Sequence, residues 1–323
     1  MRLSARRSIA SSMKLSHWRS FFGAACLVWG MQAQATSSLV AADALVDGLQ
    51  MPAWLERNGM RQPLLAGQAL QNRDRVFTGA KARLRLQLAD GSTVKIGEHA
   101  ELHLNALGRR DDQVFTGALE FVRGTFRLTT GAALAARAFN VRIASITVGT
   151  RSADLWGRVH ERGDSLCLLE GQLMMLHAKD DDRYLSEPLS CYFAPKGTAP
   201  KLLDDIDAEQ VGWLNAQTEM QAGQGYTQRG GLWSAEWKVL DNEAEALKFY
   251  DQARDAGYAV SIQPHRAQRG VYHYVLNITQ LPTPSEASAL AARLKRLLQP
   301  SLSGAEGQGK PSRPLNPPIK LTD

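Results

Sequence analysis

The sequence has few cysteines, and no motif in it marks a catalytic or metal centre. Only three cysteines, Cys26, Cys167 and Cys191, occur in 323 residues, and none belongs to a Cys-x-x-Cys pair. The chain also lacks a nucleophile elbow and a phosphate-binding loop. We therefore predict that the protein is not an enzyme, has no catalytic residues, and uses neither a metal nor any other cofactor.

Excess positive charge is also scarce once residues 1–35 are set aside. The formal net charge is +6, but five of the 38 Lys and Arg residues lie in this segment, which contains no acidic residue. The rest of the chain therefore has 33 cations against 32 anions. A nearly neutral chain has no overall field that attracts phosphate backbones, and this argues against nucleic acid as a partner.

The cations of residues 1–35 belong to a pattern typical of a cleavable secretory signal peptide. They precede an apolar run from Phe21 to Met31, after which Ala33 and Ala35 supply small residues at the positions that a signal peptidase recognises. The apolar run has about 11 residues, whereas a helix needs about 20 to span a bilayer. We predict cleavage after Ala35, a periplasmic location, and no transmembrane segment in the mature chain.

Alternatives at the N-terminus stay open. Translation starts at either Met1 or Met13, and the second start makes a signal peptide of ordinary length. The pair Arg6-Arg7 is the basis for a twin-arginine signal, and Cys26 is the basis for lipidation.

Cleavage after Ala35 leaves Cys167 and Cys191 as the two cysteines of the mature chain. Both lie in strand-like runs, and an oxidising periplasm permits one disulfide between them. The pair is therefore a candidate disulfide, with two buried free thiols as the alternative.

From about residue 45 to residue 195, apolar residues recur at every second position. Leu84, Leu86 and Leu88 alternate with polar residues, and so do Phe126 and Leu128. Glycine-containing turns separate the runs. Many short strands with one apolar face predict an all-β domain, either an antiparallel sandwich or a β-solenoid.

The remaining chain divides into three parts. Residues 196–231 read as a linker with one helix around Leu214, because the alternation stops and glycines accumulate after it. Residues 232–299 follow the order strand, helix, strand, strand, helix, which is most of an α/β ferredoxin-like unit, and the first helix is expected to begin after Asp241. Residues 300–323 are rich in glycine and proline and are predicted to be disordered.

Two families resemble parts of this pattern. The runs Arg75–Gly79, Leu84–Leu86 and Asp90–Val94, with the later Val148–Thr150, resemble the core of a FecR domain over residues 45–195. This resemblance implies an all-β periplasmic module that, in iron-signalling members, relays between an outer-membrane receptor and a sigma factor.

The element order of residues 232–299, with Ala246, Gly257-Tyr258, Tyr274 and Ala287, resembles a SPOR domain. That resemblance implies binding to peptidoglycan glycan strands stripped of their peptides. Strand alternation places Ala235, Trp237 and Val239 beneath the helices. The candidate glycan-binding residues are those of the opposite face, where Val275 is also expected: Ser234, Glu236, Lys238, Ser261, Gln263, His273 and Asn277.

Together these patterns predict two functions. The first is a periplasmic binding or scaffold protein that contacts a protein partner through its β domain and peptidoglycan through its C-terminal domain. The alternative is a FecR-type signalling or regulatory module that senses an envelope protein partner.

Overall fold

A computed structural model of the protein describes residues 42–131, 136–203, 206–266 and 272–297. The predicted signal peptide and the predicted disordered tail, residues 300–323, lie outside the described residues.

Sixteen strands form one large sheet, and three more form a small sheet. The strands of the large sheet are β1 (Ala44–Gln50), β2 (Ala53–Arg57), β3 (Met60–Pro63), β4 (Ala69–Leu70), β5 (Arg75–Thr78), β6 (Arg83–Leu88), β7 (Thr93–Ile96), β8 (Glu101–Arg109), β9 (Phe115–Thr129), β10 (Arg137–Ile143), β11 (Ile146–His160), β12 (Gly163–His177), β13 (Asp180–Leu185), β14 (Cys191–Pro195), β15 (Lys201–Leu203) and β16 (Thr227–Gln228). Helix α1 (Ala208–Ala216) lies between β15 and β16. The small sheet contains β17 (Trp233–Leu240), β18 (Ser261–Arg266) and β19 (Tyr272–Leu281), with helices α2 (Glu243–Asp255) and α3 (Pro284–Leu297).

The β-rich character predicted for the N-terminal region is confirmed, and β10 shows its physical basis. Phe139, Val141 and Ile143 are buried, whereas the residues between them are exposed. Because successive side chains of a strand point to opposite faces, this alternation buries one face of the sheet and leaves the other in water.

Strand β9 changes its neighbours midway along its length. Residues 115–121 of β9 pair with β8 and β10, whereas residues 124–129 pair with β7 and β11. At the change, Gly124 has a φ of +87°, and a Cβ atom there would lie 2.5 Å from the Cα atom of Ala100. Phe121 and Phe126, on either side of this bend, are fully buried and stack with ring centroids 3.5 Å apart. The bend therefore directs both halves of β9 into one core.

One strand pair departs from the antiparallel sandwich, which was the first of the two all-β arrangements predicted. β9 and β10 run parallel over seven paired residues, from Arg137 opposite Phe115 to Ile143 opposite Phe121. The other strand pairs of the described residues are antiparallel. A parallel neighbour requires a longer connection than a hairpin, because the chain must return to the same end of the sheet.

The segment predicted as a linker with one helix packs against the large sheet. Asp207 caps α1 in a capping box with Gln210, and Leu214 is the buried residue of this helix. The indole Nε1–H of Trp156 donates to the carbonyl of Leu214 at 3.1 Å. Beyond the predicted helix, the segment contributes β15, which pairs with β14, and β16, which pairs with β1.

The small sheet has the strand order β17-β19-β18. Asn242, rather than the Asp241 expected from the sequence, is the N-cap of α2, and its side chain accepts from the N–H of Glu245 at 3.0 Å. The described residues thus contain three strands and two helices of the unit. A complete ferredoxin-like unit has a fourth strand. The assignment of residues 232–299 to this unit therefore stays a prediction.

The small sheet and its helices share a hydrophobic core with the large sheet. The N–H of Ala53 donates to the carbonyl of Gly257 at 3.1 Å, and Trp54 Nε1–H donates to the carbonyl of Asp255 at 3.2 Å. From α3, Arg293 donates to the carbonyl of Met51 at 2.7 Å. A Cβ atom at Gly257 would lie 2.6 Å from the Trp54 ring, so glycine permits this close approach.

Candidate interaction surfaces

Strand register brings most of the predicted glycan-binding residues to one face of the small sheet. Asn277 of β19 lies opposite Glu236 of β17 and opposite Ser261 of β18. Two positions further along β19 in the direction of its N-terminus, Val275 lies opposite Gln263. Directly opposed residues share a face, so these side chains form one surface, which we call the β19 face. His273 lies at its end.

The sequence predicted Lys238 on the β19 face, but the structure places it on the other side of the sheet. Its ammonium lies 3.4 Å from the centroid of the Phe249 ring on α2, on the side of the sheet that the helices cover. The reason is a register shift between Glu236 and Lys238, which places an extra residue in β17. A bulge of this kind changes the face on which every later residue of the strand lies.

The same bulge overturns the predicted burial of Val239. This side chain is 58% exposed and lies opposite Val275, and Leu240 takes the buried position instead. Ala235 precedes the bulge and Trp237 lies within it, and both are buried as predicted. The ring of Trp237 meets Phe249 edge-on at 6.2 Å between centroids.

Part of the β19 face is closed to a ligand. Asn277 is 4% exposed and Val275 is 8% exposed, although the alternation predicted both on an open face. The hydroxyl of Ser261 donates to the side-chain oxygen of Asn277 and occupies it. Glu236 and Gln263 are exposed, and so is Ser234 at the start of β17. The polar groups free to meet a ligand are therefore fewer than the sequence suggested.

Two residues that were not predicted as site residues complete the end of the β19 face. His265 of β18 lies directly opposite His273, and its side chain is exposed. Asp241, which follows β17, is hydrogen-bonded through a carboxylate oxygen to Nδ1 of His273. The sequence could have placed His265 on this face, because it follows Gln263 by two positions in an alternating strand. That His273 lies opposite it depends on the register of β18 and β19.

A second surface lies on the outer side of β12 and β13. Met174, Leu176 and Tyr184 are 49%, 41% and 58% exposed. Met174 lies opposite Tyr184 on one side and Gly149 on the other, and Leu176 shares its face because it is two residues further along β12. We call these three residues the β12–β13 patch. Clusters of exposed apolar side chains on a folded domain often mark an interaction site.

The first residue of β13, Asp180, is engaged within the fold. The carboxylate of Asp180 accepts two hydrogen bonds from Arg183, at 2.8 and 2.9 Å, and one from the hydroxyl of Tyr192 at 3.0 Å. The bonds from Arg183, followed by the one from Tyr192, lower the pKa of Asp180 to about 2. Burial, together with the nearby Asp180 carboxylate, raises the pKa of Tyr192.

The candidate disulfide residues lie side by side in the large sheet. Cys167 of β12 and Cys191 of β14 are directly opposed, and their sulfur atoms are bonded in the structure. Both residues are buried in a small cluster with Trp156 and Leu214. The bond therefore lies beneath the position where α1 packs against the sheet.

Within the described ranges, no helix is long and apolar enough to cross a membrane. The same residues contain no group of three or more His, Cys, Asp or Glu side chains arranged to hold a metal ion.

Comparison with known proteins gives a family match inside the large sheet. The family described as FecR protein matches residues 74–174, which contain β5 to β11 and most of β12. No curated protein matches the chain.

Two crystal structures of a candidate anti-sigma factor from Parabacteroides distasonis, at 1.65 and 2.50 Å resolution, are also similar to the chain. The first has a TM-score of 0.37 and 10% sequence identity, and the second has a TM-score of 0.36 and 9% identity. Each comparison covers 69% of this chain and 91% of the other.

The predicted FecR resemblance is therefore confirmed for residues 74–174. The resemblance of residues 232–299 to a SPOR domain lies beyond the matched segment and stays a prediction.

Proposed function

We propose that this chain is a non-catalytic, FecR-type regulatory module of the bacterial envelope, which senses an envelope protein partner. The family match over residues 74–174 carries the proposal. The matched strands include β9, which supplies Phe115, Phe121 and Phe126 to the core. The match thus extends through the folded centre of the large sheet. It favours the second of the two functions that the sequence predicts over the scaffold function.

Three features support a periplasmic location for this module. Residues 1–35 have the pattern of a cleavable signal peptide, and FecR proteins are associated with the cell envelope. A bonded pair at Cys167 and Cys191 agrees with an oxidising compartment, because structural disulfides persist there and are rare in the cytosol.

The β12–β13 patch is the surface that we assign to the partner. Met174 and Tyr184 are directly opposed, Leu176 lies on the same face, and Met174 and Tyr184 are each about half exposed. On the other side of Met174, Gly149 has no neighbouring atom within 4 Å of the place where a Cβ atom would stand. A partner side chain can therefore approach Met174 over Gly149. Burial of such apolar surface is the main favourable contribution to protein association.

Site-specific photo-crosslinking in cells tests this assignment. A photoreactive amino acid is placed at position 174 in one strain and at position 184 in another, and crosslinked products are identified by mass spectrometry. We expect the same envelope protein from both positions. Leu247 on α2, which is 46% exposed, is the matched control position and should give no such product.

A functional readout separates regulation from simple contact. The double variant Met174→Asp/Tyr184→Asp should cause the same transcriptional changes as deletion of the gene, while the protein stays at its normal level. If the deletion leaves the transcriptome unchanged, the regulatory proposal is wrong, whatever the crosslinking shows.

A second candidate function, binding of peptidoglycan glycan strands by residues 232–299, is favoured by one observation. Glu236, Gln263 and His273 lie on the same face of the small sheet, where their polar groups can meet sugar hydroxyls. Sedimentation of residues 36–323 with peptide-stripped and intact sacculi tests it. Binding to stripped sacculi that is lost in the Glu236→Ala/Gln263→Ala variant would support glycan recognition. Absence of the protein from both pellets would exclude it.

A further inference from the structure

The two histidines at the end of the β19 face form a cross-strand pair. His265 and His273 lie directly opposite each other in the antiparallel β18–β19 pair, and both are accessible to solvent. Opposed residues have Cβ atoms about 4.5–5.5 Å apart. Two imidazole rings at this spacing can bring one nitrogen each to the separation of about 3.3 Å that tetrahedral Zn–N bonds of about 2.0–2.1 Å require.

Asp241 prepares one of these rings for metal binding. A carboxylate oxygen accepts hydrogen bonds, so the Nδ1–H of His273 is the donor and Asp241 is the acceptor. The other ring nitrogen, Nε2, is then the atom that can bind a metal. A histidine that binds a metal through one nitrogen and a carboxylate through the other is a common arrangement in zinc sites.

We propose that His265 and His273 bind a divalent transition-metal ion through their Nε2 atoms, with Asp241 as the residue that orients His273. Imidazole nitrogens favour Zn²⁺, Ni²⁺ and Cu²⁺, whereas Mg²⁺ and Ca²⁺ require oxygen ligands. Two protein ligands leave the other coordination positions to water. The metal is therefore solvent-accessible and can accept a further ligand from another molecule.

Calorimetric titration of Zn²⁺ into untagged protein, residues 36–323, tests the site in a buffer that does not chelate metals. We expect one Zn²⁺ per chain. The His265→Ala and His273→Ala variants should each lose this binding. The Asp241→Asn variant should keep the same stoichiometry with an affinity about 10 to 100 times weaker, because it alters only the orienting partner.

The control variant is His160→Ala, which removes an exposed histidine of the large sheet and should bind Zn²⁺ like the natural chain. Circular dichroism and thermal unfolding of each variant without metal check that the fold is intact. Binding that survives in both His265→Ala and His273→Ala, or a natural chain that binds no Zn²⁺, would overturn the proposal.

Discussion

The carboxylate of Glu286 accepts a hydrogen bond from the backbone N–H of Gly225, with 2.6 Å between nitrogen and oxygen. The other oxygen of this carboxylate accepts from the N–H of Gly223, also at 2.6 Å, and Tyr226 contributes a third N–H at 3.3 Å. Glu286 is in the first turn of α3 and only 4% exposed. One buried side chain thus attaches the segment between α1 and β16, which leads into the large sheet, to the last helix of the small one.

Replacement of Glu286 by alanine should destabilise the protein markedly. Hydrogen bonds to a charged group contribute about 1.5–3 kcal/mol each, and the loss of the carboxylate leaves the buried N–H of Gly225 without an acceptor. We expect the free energy of unfolding to fall by about 3 kcal/mol, measured by urea denaturation. Glu236→Ala, at an exposed position, is the control and should change it by less than about 0.5 kcal/mol. Equal stability of the two variants would contradict this role for Glu286.

Removal of the disulfide should also lower stability. The bond between Cys167 and Cys191 joins residues 24 positions apart, and closing a loop of this size in the unfolded chain is worth about 3 kcal/mol. A Cys167→Ala/Cys191→Ala variant should unfold at lower temperature than the oxidised natural chain. Treatment with a reductant should lower the unfolding temperature of the natural chain only. A reductant effect of equal size in the variant would show that another process is responsible.

Asp180 should make stability depend on pH in the acidic range. Its pKa in the folded protein is about 2, chiefly because Arg183 donates hydrogen bonds to the carboxylate, whereas the ordinary value is 3.8. A group with a lowered pKa stabilises the fold above its unfolded pKa and loses that contribution as the pH falls through the folded pKa.

The difference in unfolding free energy between the natural chain and Asp180→Asn should therefore be constant above about pH 5 and shrink between about pH 4 and pH 2. Urea denaturation at a series of pH values measures it. A difference that does not change with pH would mean that the contacts of Asp180 do not depend on its charge.

The bend at Gly124 should tolerate no side chain. Alanine there must adopt a φ of +87° and place its Cβ atom 2.5 Å from a backbone atom of Ala100. A left-handed conformation alone costs about 1–2 kcal/mol, and the steric clash adds to it. We expect Gly124→Ala to lower the free energy of unfolding by at least about 2 kcal/mol.

Two matched controls separate the contributions at Gly124. Gly197→Ala has a φ of +90° with open space around the new Cβ atom, so it should show the conformational cost alone. Gly149→Ala has open space and no positive φ, and it should change stability little. If Gly124→Ala costs no more than Gly197→Ala, the close approach to Ala100 is not a constraint.

The local elements of this protein follow from its sequence. Alternation of apolar residues predicts the strands of the large sheet, because a strand with one buried face needs an apolar residue at every second position. The sequence predicts a helix around Leu214 and another in the C-terminal region from local patterns, although the second is capped by Asn242 and not by the expected Asp241. The placement of Glu236, Ser261 and Gln263 on one face follows from the same alternation.

Only the tertiary structure decides how these elements meet. The bulge between Glu236 and Lys238 reverses the faces of Lys238 and Val239, because a slip of one residue turns every later side chain to the other side. The parallel pairing of β9 with β10, and the opposition of His265 and His273, are relations between strands that no single strand encodes. Sequence periodicity is a local property and determines what each segment can form, whereas register and docking depend on the packing of distant segments into one core.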